Sequence, residues 1–229
     1  HDHWYVTNRW AFDESPAMRL AGERALQLAG TGHDACELLD LYSCFPVAVQ
    51  VAQRELGIDP TRPFTVTGGL TFGGGPLNCY CILPLTRTVH LLRARPDASA
   101  FLTGNGGWFT KHSMLVLGSA PSTTGFRSDS VQGEVDALPS RPDAVTPVAD
   151  RVDGATLETY TVTYDRSGAP ERAMLVCLDV DGARHFATTT DAASVDELLV
   201  TDACGRPVAL AGGVGALADC GQTADRDWR

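Results

Sequence analysis

Hydrophobic positions along the first 120 residues recur at helical spacing in some stretches and as short continuous runs in others. After Ser15 and Pro16 the apolar residues follow the helical period up to Gly30, which predicts a helix with a capped start and a glycine stop. The same reasoning predicts a helix from Val47 to Leu56. The remaining predicted elements are a helix in "NCYCILPLTRTVHLLRARP" and strands in Leu38–Tyr42, "FTVTGGL", "SAFLTGNGGWF" and "HSMLVLGSA".

Helices and strands therefore alternate up to about residue 120, an order typical of α/β layer structures. Three predicted strands end in loops, at 42–46, 67–76 and 103–107. Five glycines fall within residues 68–75, although glycine costs conformational entropy on folding. Because loops at strand ends commonly build binding sites, we expect the candidate site there.

The pattern changes after residues 123–150, which are rich in Pro, Ser and Asp and are predicted to form a linker. Beyond them, "TLETYTVTYD", "RAMLVCLDV" and "ARHFATTT" are predicted strands, and Asp181-Gly182 is a hairpin signal. "ELLVTDACGRPVALA" is predicted to add two short strands about Gly205. We therefore predict two folded units, residues 1–122 and 151–229, the second a small antiparallel β-barrel of the oligonucleotide/oligosaccharide-binding (OB) type.

Charge and cysteine content argue against several classes of partner and site. The net charge is −10, with 9 basic and 10 acidic residues in 1–120 but 9 basic and 18 acidic in 121–229, which disfavours nucleic acid and anionic membranes as partners. No apolar run reaches the length of a membrane span.

The seven cysteines have no regular framework, and the sequence has no signal-peptide pattern. We therefore predict reduced thiols in the cytoplasm. Cys79 and Cys81 do not form a CxxC pair, so we expect no metal site.

Common motifs for phosphate, dinucleotide and serine chemistry are incomplete. Gly75-Pro76 stands where a P-loop beginning at Gly69 requires Lys and Ser/Thr. The GxGxxA match at 213–218 leaves no room for the rest of a dinucleotide-binding unit. No GxSxG motif of a serine hydrolase occurs.

Three segments taken together resemble a known family. "DLYSCFPVAVQVA", "TVTGGLTFGGGP" and "FLTGNGGWFTKH" occur in the order, and near the spacing, of three active-site loops in the C-terminal half of thiolases. They are most similar to the sterol-carrier-protein thiolase branch and to thiolase-like acetyl-CoA acetyltransferases. The region after residue 125 is similar to the extra C-terminal domain of thiolase-like protein type 1. The resemblance implies an α/β fold, the C-terminal half of a thiolase with a mixed sheet and helices, followed by the barrel.

The resemblance also implies a mechanism from which this chain departs. In thiolases a cysteine of the N-terminal half carries the acyl group, a histidine in a GHP motif activates it, and a second cysteine moves the α-proton. Here Gly75 stands at the histidine position and Thr103 at the second-cysteine position, while "YSCF" at 42–45 replaces an HDCF motif. The glycines are therefore expected to preserve the shape of a coenzyme A thioester pocket without the usual catalytic side chain.

The candidate catalytic residues are Tyr42, Cys44 and His112. Tyr42 either donates a hydrogen bond to a thioester carbonyl or is a buried tyrosine at a strand end. Cys44 is either a reactive thiol or a small buried hydrophobe, and His112 is either an acid–base group or a loop histidine. The substrate-binding candidates are the loop residues Gly68, Gly69, Gly75, Asn78, Asn105 and Gly106.

The leading hypothesis is the C-terminal portion of a thiolase-like protein that handles acyl-CoA in lipid or sterol metabolism, as an acyltransferase of the acetyl-CoA acetyltransferase type. Because the nucleophile half is missing and Gly75 replaces the histidine, we expect this chain alone to lack thiolase activity. One alternative is a retro-aldol lyase that acts on CoA thioesters such as steroid side chains. Another is a non-catalytic CoA-ester binding or scaffold protein.

The resemblance also sets the expected ligands and partners. We expect acyl-CoA as substrate and no cofactor. A half-fold leaves its usual partner surface uncovered, so we predict a homodimer, or pairing with an N-terminal thiolase half or a second subunit. The sequence begins without Met, and we expect it to be a fragment or a processed product.

Overall fold

The computed structural model describes residues 1–141 and 151–217, and the chain divides into two compact units, His1–Pro139 and Ser140–Arg229. In the first unit the helices are α1 (Pro16–Ala29), α2 (Pro46–Leu56), α3 (Leu70–Gly73), α4 (Ile82–Arg93) and α5 (Gln132–Asp136). The strands are β1 (Leu38–Asp40), β2 (Ser99–Gly106) and β3 (Lys111–Gly118). Single 3-10 turns lie at Val6–Asn8, His33–Ala35 and Leu77–Cys79.

The first unit is built on a three-stranded mixed sheet with β2 at its centre. β1 runs parallel to β2, and β3 runs antiparallel with His112 opposite Asn105. Successive side chains of β2 belong to different cores: Phe101 packs with buried residues of α1 and α2, whereas Leu102 packs with Leu92 of α4. The sheet therefore has helices on both faces, as the alternation of strands and helices predicts.

The predicted helices of the first unit are confirmed, and local chemistry sets their ends. The Ser15 hydroxyl caps the backbone at the start of α1, and Gly30 ends that helix with φ 67°. Gly57 ends α2 in the same left-handed conformation, and Pro84 lies in the first turn of α4, where its missing N–H costs nothing. Of the helices in residues 1–141 and 151–217, none is long and apolar enough to cross a membrane.

The strand predicted in "FTVTGGL" is wrong, because residues 64–69 form an irregular segment. The Leu41 N–H donates to the Phe64 carbonyl oxygen at 2.8 Å, but the pairing does not continue as a ladder. The Val66 N–H donates instead to the Asp40 carboxylate at 3.0 Å. In this segment a side chain accepts the backbone hydrogen bond that a neighbouring strand would otherwise accept. The spacing of apolar residues in the sequence gives no sign of this.

Part of the predicted linker is helical. Within its described residues, 123–141, α5 brings Val135 into a small apolar cluster with Val131 and with Ala17 of α1. The first unit therefore continues to Pro139. Residues 142–150 of the predicted linker lie outside the described residues.

In the second unit the described strands are β4 (Thr156–Tyr164), β5 (Pro170–Leu178), β6 (Arg184–Thr189), β7 (Val208–Ala211) and β8 (Val214–Leu217). Helix α6 (Ala192–Val200) lies between β6 and β7. The sheet has the order β4-β5-β6-β8-β7. All neighbours are antiparallel except β6 and β8, so the sheet is mixed rather than wholly antiparallel as predicted. Its core includes Leu157, Leu175 and Val208.

The first strand of this unit is also hydrogen bonded on its other side. The Leu157 N–H donates to the Arg206 carbonyl oxygen at 2.8 Å, and the Val208 N–H donates to the Ala155 carbonyl oxygen at 2.9 Å. β4 therefore lies between β5 and the segment that leads into β7.

The strand predicted at "ELLV" is wrong, because these residues form the end of α6. The Asp191 carboxylate accepts a hydrogen bond from the Ser194 N–H at 2.8 Å and caps the helix. Val195 and Leu198 are buried about one turn apart. A short apolar run fits a strand or a helix equally well, and here the cap decides the outcome. The second strand predicted in this stretch is confirmed as β7.

Candidate functional site

Two loops of the first unit and the end of β2 meet at the carboxyl end of β1. Residues 42–45 follow β1 after Leu41, and residues 65–75 run beside them. Residues 103–106, which the sequence predicted as a loop, belong to β2. The Leu70 N–H donates to the Ser43 hydroxyl at 3.0 Å, so the first two loops are in contact. The carboxyl ends of parallel strands are where α/β sheets bind ligands, and we take this edge as the candidate site.

Tyr42 is held in place by its backbone and by its ring. Its N–H donates to the Thr103 hydroxyl at 2.9 Å, and its ring packs edge-on against Tyr80 with the ring centroids 5.3 Å apart. Burial raises the pKa of the Tyr42 hydroxyl, and the nearby thiols of Cys44 and Cys81 raise it further. At neutral pH the hydroxyl is therefore a neutral hydrogen-bond donor, which is the form that a thioester carbonyl requires.

Cys44 lies beside Asn105, as the clustering of the two loops predicts. The Asn105 side-chain amide is 3.4 Å from the Cys44 sulfur and donates to it. Burial raises the pKa of the Cys44 thiol, and hydrogen bonding by backbone amides and Asn105 opposes that shift only in part. Cys44 is therefore a protonated, partly buried thiol rather than an activated thiolate.

The glycine-rich loop has two kinds of glycine. Gly69 has φ 82°, and a Cβ built on it would lie 2.6 Å from the Ser43 hydroxyl oxygen, so both backbone conformation and space require glycine. Gly68 also has a positive φ, 88°. Gly75 has φ 59° but faces open space. The close approach at Gly69 is therefore what fits the loop against residues 42–45.

Asp40 is a buried carboxyl group that sequence analysis did not select. Its Oδ2 accepts hydrogen bonds from the Thr65 hydroxyl and the Val66 N–H, both at 3.0 Å. Its Oδ1 is buried without a hydrogen-bond partner among the described residues. Burial raises the pKa of Asp40, although interactions with Val66, Thr65 and the Thr67 hydroxyl act in the opposite direction. The signal in the sequence was an aspartate at a buried strand end, directly before the motif residues.

Tyr80 and Cys81 were also missed, because they were assigned only to a helix. Tyr80 is almost fully buried, and its hydroxyl lies 3.2 Å from the Thr67 hydroxyl. Cys81 is the residue before α4, and its sulfur lies against Gly104 of β2. Burial raises the pKa of the Cys81 thiol, and the Asp40 carboxylate adds to the shift.

The structure places His112 in a different cluster. Its Nε2 lies 2.9 Å from the Ser15 hydroxyl and 3.3 Å from the Asp2 carboxylate, and its side chain is 1% exposed. Its ring packs edge-on against Phe109. Ser15 is also fully buried and caps α1, so its hydroxyl is not exposed to solvent. The contacts fix the start of the chain to α1 and β3.

Two of the remaining candidates lie at the edge of the site. Asn78 is exposed in the turn Leu77–Cys79, and Gly106 is the last residue of β2, where a Cβ would meet open space. A cavity of about 40 Å³ lies elsewhere, next to Asp2 and Arg9, and includes none of the predicted site residues.

Metal and disulfide chemistry find no support in the described part of the chain. No group of three or more His, Cys, Asp or Glu side chains there is arranged to hold a metal ion. The free cysteines there are Cys36, Cys44, Cys79, Cys81, Cys177 and Cys204. Cys220 lies outside the described residues.

Comparisons with known proteins agree with this fold. A family model described as the thiolase-like protein type 1 additional C-terminal domain matches residues 130–212. The chain is also similar to a crystal structure of a monomeric SCP2-thiolase like protein type 1 from Mycobacterium smegmatis, at 32% identity and a TM-score of 0.82. That match covers 93% of this chain and 48% of the other, so the chain spans about half the length of its relative. No curated protein matches. The predicted mixed α/β, thiolase-like fold is confirmed.

Proposed function

This chain belongs to the thiolase-like protein type 1 family, and from that premise we propose that its first unit binds the acyl end of a coenzyme A thioester. The observation that carries the proposal is the meeting of Tyr42, Gly69 and Asn105 at the carboxyl end of β1. A neutral phenol and a side-chain amide are donors suited to a thioester carbonyl. The absence of a Cβ at Gly69 lets its loop pack against Ser43, which brings the loop to the same edge of the sheet as Tyr42.

We propose that catalysis needs a further thiolase half, which supplies the nucleophilic cysteine. Large apolar side chains are exposed around the site, with Phe72 81% and Leu77 86% exposed. Exposed aromatic and aliphatic side chains of this size favour a protein partner. The M. smegmatis relative is described as monomeric, which favours one copy of each half over the homodimer that the sequence predicted.

The reaction we propose is acyl transfer of the acetyl-CoA acetyltransferase type, in lipid or sterol metabolism. Thr103 and Gly75 lack ionisable side chains, so within this chain neither can perform the acid–base steps that thiolases assign to those positions. We therefore propose that the chain alone has no thiolase activity. The substrate is acyl-CoA, and the proposal requires no other cofactor.

A retro-aldol lyase is the second candidate, and Tyr42 favours it. Carbon–carbon cleavage next to a thioester needs a donor for the enolate oxygen and proton carriers, but no acyl-enzyme cysteine. The neutral Tyr42 hydroxyl fits the first role. A non-catalytic CoA-ester binding or scaffold protein would share the same binding site and differ only in lacking turnover.

We also propose that the second unit is an OB-type barrel. The strand order, the helix between the third and fourth strands, and the hydrogen bonds from β4 toward β7 all support it. Residues 121–229 have twice as many acidic as basic side chains, and this net negative charge disfavours nucleic acid as a ligand of the barrel. Free cysteines in both units accord with the proposed cytoplasmic location.

Calorimetric titration of the chain with acetyl-CoA, acetoacetyl-CoA and free CoA tests the binding proposal. We expect the thioesters to bind more tightly than CoA, and Tyr42→Phe to weaken thioester binding several-fold without changing CoA binding. Tyr164→Phe, on an exposed tyrosine of the second unit, is the control. Equal affinities for thioester and CoA, or none, would refute the site.

Thiolysis of acetoacetyl-CoA by the chain alone tests whether a separate thiolase half must supply the nucleophilic cysteine. No turnover above buffer is expected, and robust turnover would show that the nucleophile half is not required. Cleavage of a β-hydroxyacyl-CoA that is lost in Tyr42→Phe would favour the lyase.

A further inference from the structure

The turn between β2 and β3, residues 107–110, has an unusual backbone, and we call it the hairpin tip. It begins two residues after Asn105, at the edge of the sheet where the candidate site lies. Phe109 in the tip has φ 57°, in a region that bulky side chains rarely adopt. A strained backbone of this kind persists only where surrounding contacts fix it, and such strain is common at functional sites.

Arg9 supplies two of the contacts that fix the hairpin tip. Its Nη2 donates to the Trp108 carbonyl oxygen at 2.9 Å and to the Phe109 carbonyl oxygen at 2.8 Å. The residue is only 6% exposed, and burial lowers the pKa of its guanidinium, while the Asp2 carboxylate opposes that shift. Burying a cation is costly, and hydrogen bonds from a charged donor are stronger than neutral ones. The fold therefore places a buried charge against two consecutive carbonyl groups of the tip.

The far end of the hairpin tip is held from the same part of the chain. The Asp2 N–H donates to the Thr110 carbonyl oxygen at 2.8 Å. The Asp2 carboxylate also lies 3.3 Å from Nε2 of His112, which is directly opposite Asn105 in the register of β2 and β3. The Phe109 ring packs edge-on against the His112 ring. Residues 2 and 9 thus hold both the tip and the strand position that faces Asn105.

Asn105 links the hairpin tip to the candidate site. Its side-chain amide donates to the Cys44 sulfur at 3.4 Å, and sulfur is a weak acceptor that fixes the direction of an amide poorly. The amide has a second N–H for a ligand. The neighbouring Gly106 carbonyl oxygen accepts a hydrogen bond from the Thr110 N–H at 3.2 Å, so a displacement of the tip also displaces the backbone that carries Asn105.

We propose that Arg9 is a positioning residue of the thioester site, which fixes the hairpin tip and thereby the direction in which the Asn105 amide donates to the thioester carbonyl. In this proposal Arg9 does not touch the ligand and acts only through the tip. The role rests on the proposed function, because it requires a thioester carbonyl next to Asn105. An arginine with a merely structural role would stabilise the unit without changing how the site distinguishes a thioester from free CoA.

NMR spectra of the ¹⁵N-labelled chain test the positioning without any ligand. We expect the Asn105 side-chain NH₂ signals to shift in Arg9→Gln. Arg54→Gln breaks an exposed pair with Asp13 in the same unit and is the matched control, which should leave these signals in place. Circular dichroism checks that both variants are folded. Unchanged Asn105 signals in folded Arg9→Gln overturn the positioning role.

Calorimetric titration with acetyl-CoA and free CoA tests the consequence for binding. In Arg9→Gln we expect the preference for acetyl-CoA over CoA to fall about three- to ten-fold, the effect of losing one hydrogen bond to the ligand, with CoA affinity unchanged. Arg54→Gln should keep both affinities. An unchanged preference in Arg9→Gln overturns the role of Arg9 and leaves the proposed function standing. If the unaltered chain has no preference for the thioester, the proposed function is overturned as well.

Relaxation of the backbone amides in the unaltered chain provides a second measurement if Arg9→Gln does not fold. We expect order parameters of about 0.85 at Trp108, Phe109 and Thr110, as in regular strands. Values below about 0.6 would show a mobile tip and overturn the claim that Arg9 fixes it.

Discussion

The backbone N–H of Tyr42 donates to the hydroxyl of Thr103 across 2.9 Å, and this hydrogen bond ties the loop after β1 to the central strand β2. By the resemblance to thiolases, Thr103 takes the position of the second catalytic cysteine, and in this structure its hydroxyl accepts a backbone hydrogen bond. The bond holds the Tyr42 ring where it packs on Tyr80.

Removing this hydroxyl should destabilise the first unit and displace Tyr42. Thr103→Val leaves the Tyr42 N–H without its acceptor, so we expect a loss of about 1–2 kcal/mol in the free energy of unfolding. Thr103→Ser keeps the hydroxyl and should cost less. Urea unfolding of the three proteins measures the difference, and equal stability of the Val and Ser variants would show that the bond contributes nothing.

Gly69→Ala should be the most damaging alanine substitution in the glycine-rich loop. Its Cβ would lie 2.6 Å from the Ser43 hydroxyl oxygen, and its φ of 82° strains any other residue, so we expect a loss of about 1–3 kcal/mol. Gly75→Ala, with φ 59° and open space, should cost no more than about 1–2 kcal/mol. Thermal unfolding compares the two. A larger loss in Gly75→Ala would contradict the packing of this loop.

The Asp2 carboxylate should stabilise the first unit except in acid. Burial raises its pKa, but hydrogen bonds from His112, Ser15 and Ala17 outweigh that effect, so the pKa in the folded state lies below its usual value. Its stabilising contribution is present above the unfolded-state pKa of about 4 and is lost as the pH falls through the folded-state value.

Asp2→Asn should therefore lower the free energy of unfolding at pH 7 by about 1–3 kcal/mol. The difference from the unaltered chain should shrink as the pH falls below about 4. Glu23→Gln, at an exposed position of α1, is the control. Urea unfolding between pH 3 and pH 7 measures both variants, and a difference independent of pH would contradict the role assigned to the carboxylate.

Arg184 and Glu158 should be essential to the second unit. The guanidinium is fully buried and donates to both Glu158 oxygens, at 2.6 and 2.7 Å. Glu158→Gln removes the carboxylate that binds this buried guanidinium, so we expect a loss of about 3–5 kcal/mol in the free energy of unfolding. Arg151→Gln breaks an exposed pair with Asp153 and should have no measurable effect. Chemical unfolding measures both variants. Similar losses of unfolding free energy in Glu158→Gln and Arg151→Gln would contradict the structural importance of the buried pair.

The sequence predicted most helices and strands because their caps and periodicity are local. Ser15 and Gly30 mark the ends of α1 in the sequence itself. The strand at "FTVTGGL" was predicted wrongly because its hydrogen bonds go to Asp40, a residue about 25 positions away. Local sequence patterns do not show that a distant side chain, rather than a neighbouring strand, accepts the backbone hydrogen bonds.

The candidate site could be predicted only in part, for a similar reason. Tyr42 and Cys44 follow the end of β1, Asn105 lies near the end of β2, and the structure brings these motif positions together. Cys81 comes to lie against Gly104 only when α4 packs on the sheet. That packing depends on the whole unit and has no signature in either segment.

The most direct test of the central claim is a titration of the ¹⁵N-labelled chain with acetyl-CoA, followed by amide chemical shifts. We predict saturable shifts at Gly69, Gly104 and Asn105, which border the proposed acyl position, and none at Gly168 in an exposed turn of the second unit. An absence of shifts at these three amides, or shifts confined to the second unit, would contradict the claim that the carboxyl end of β1 is a thioester site.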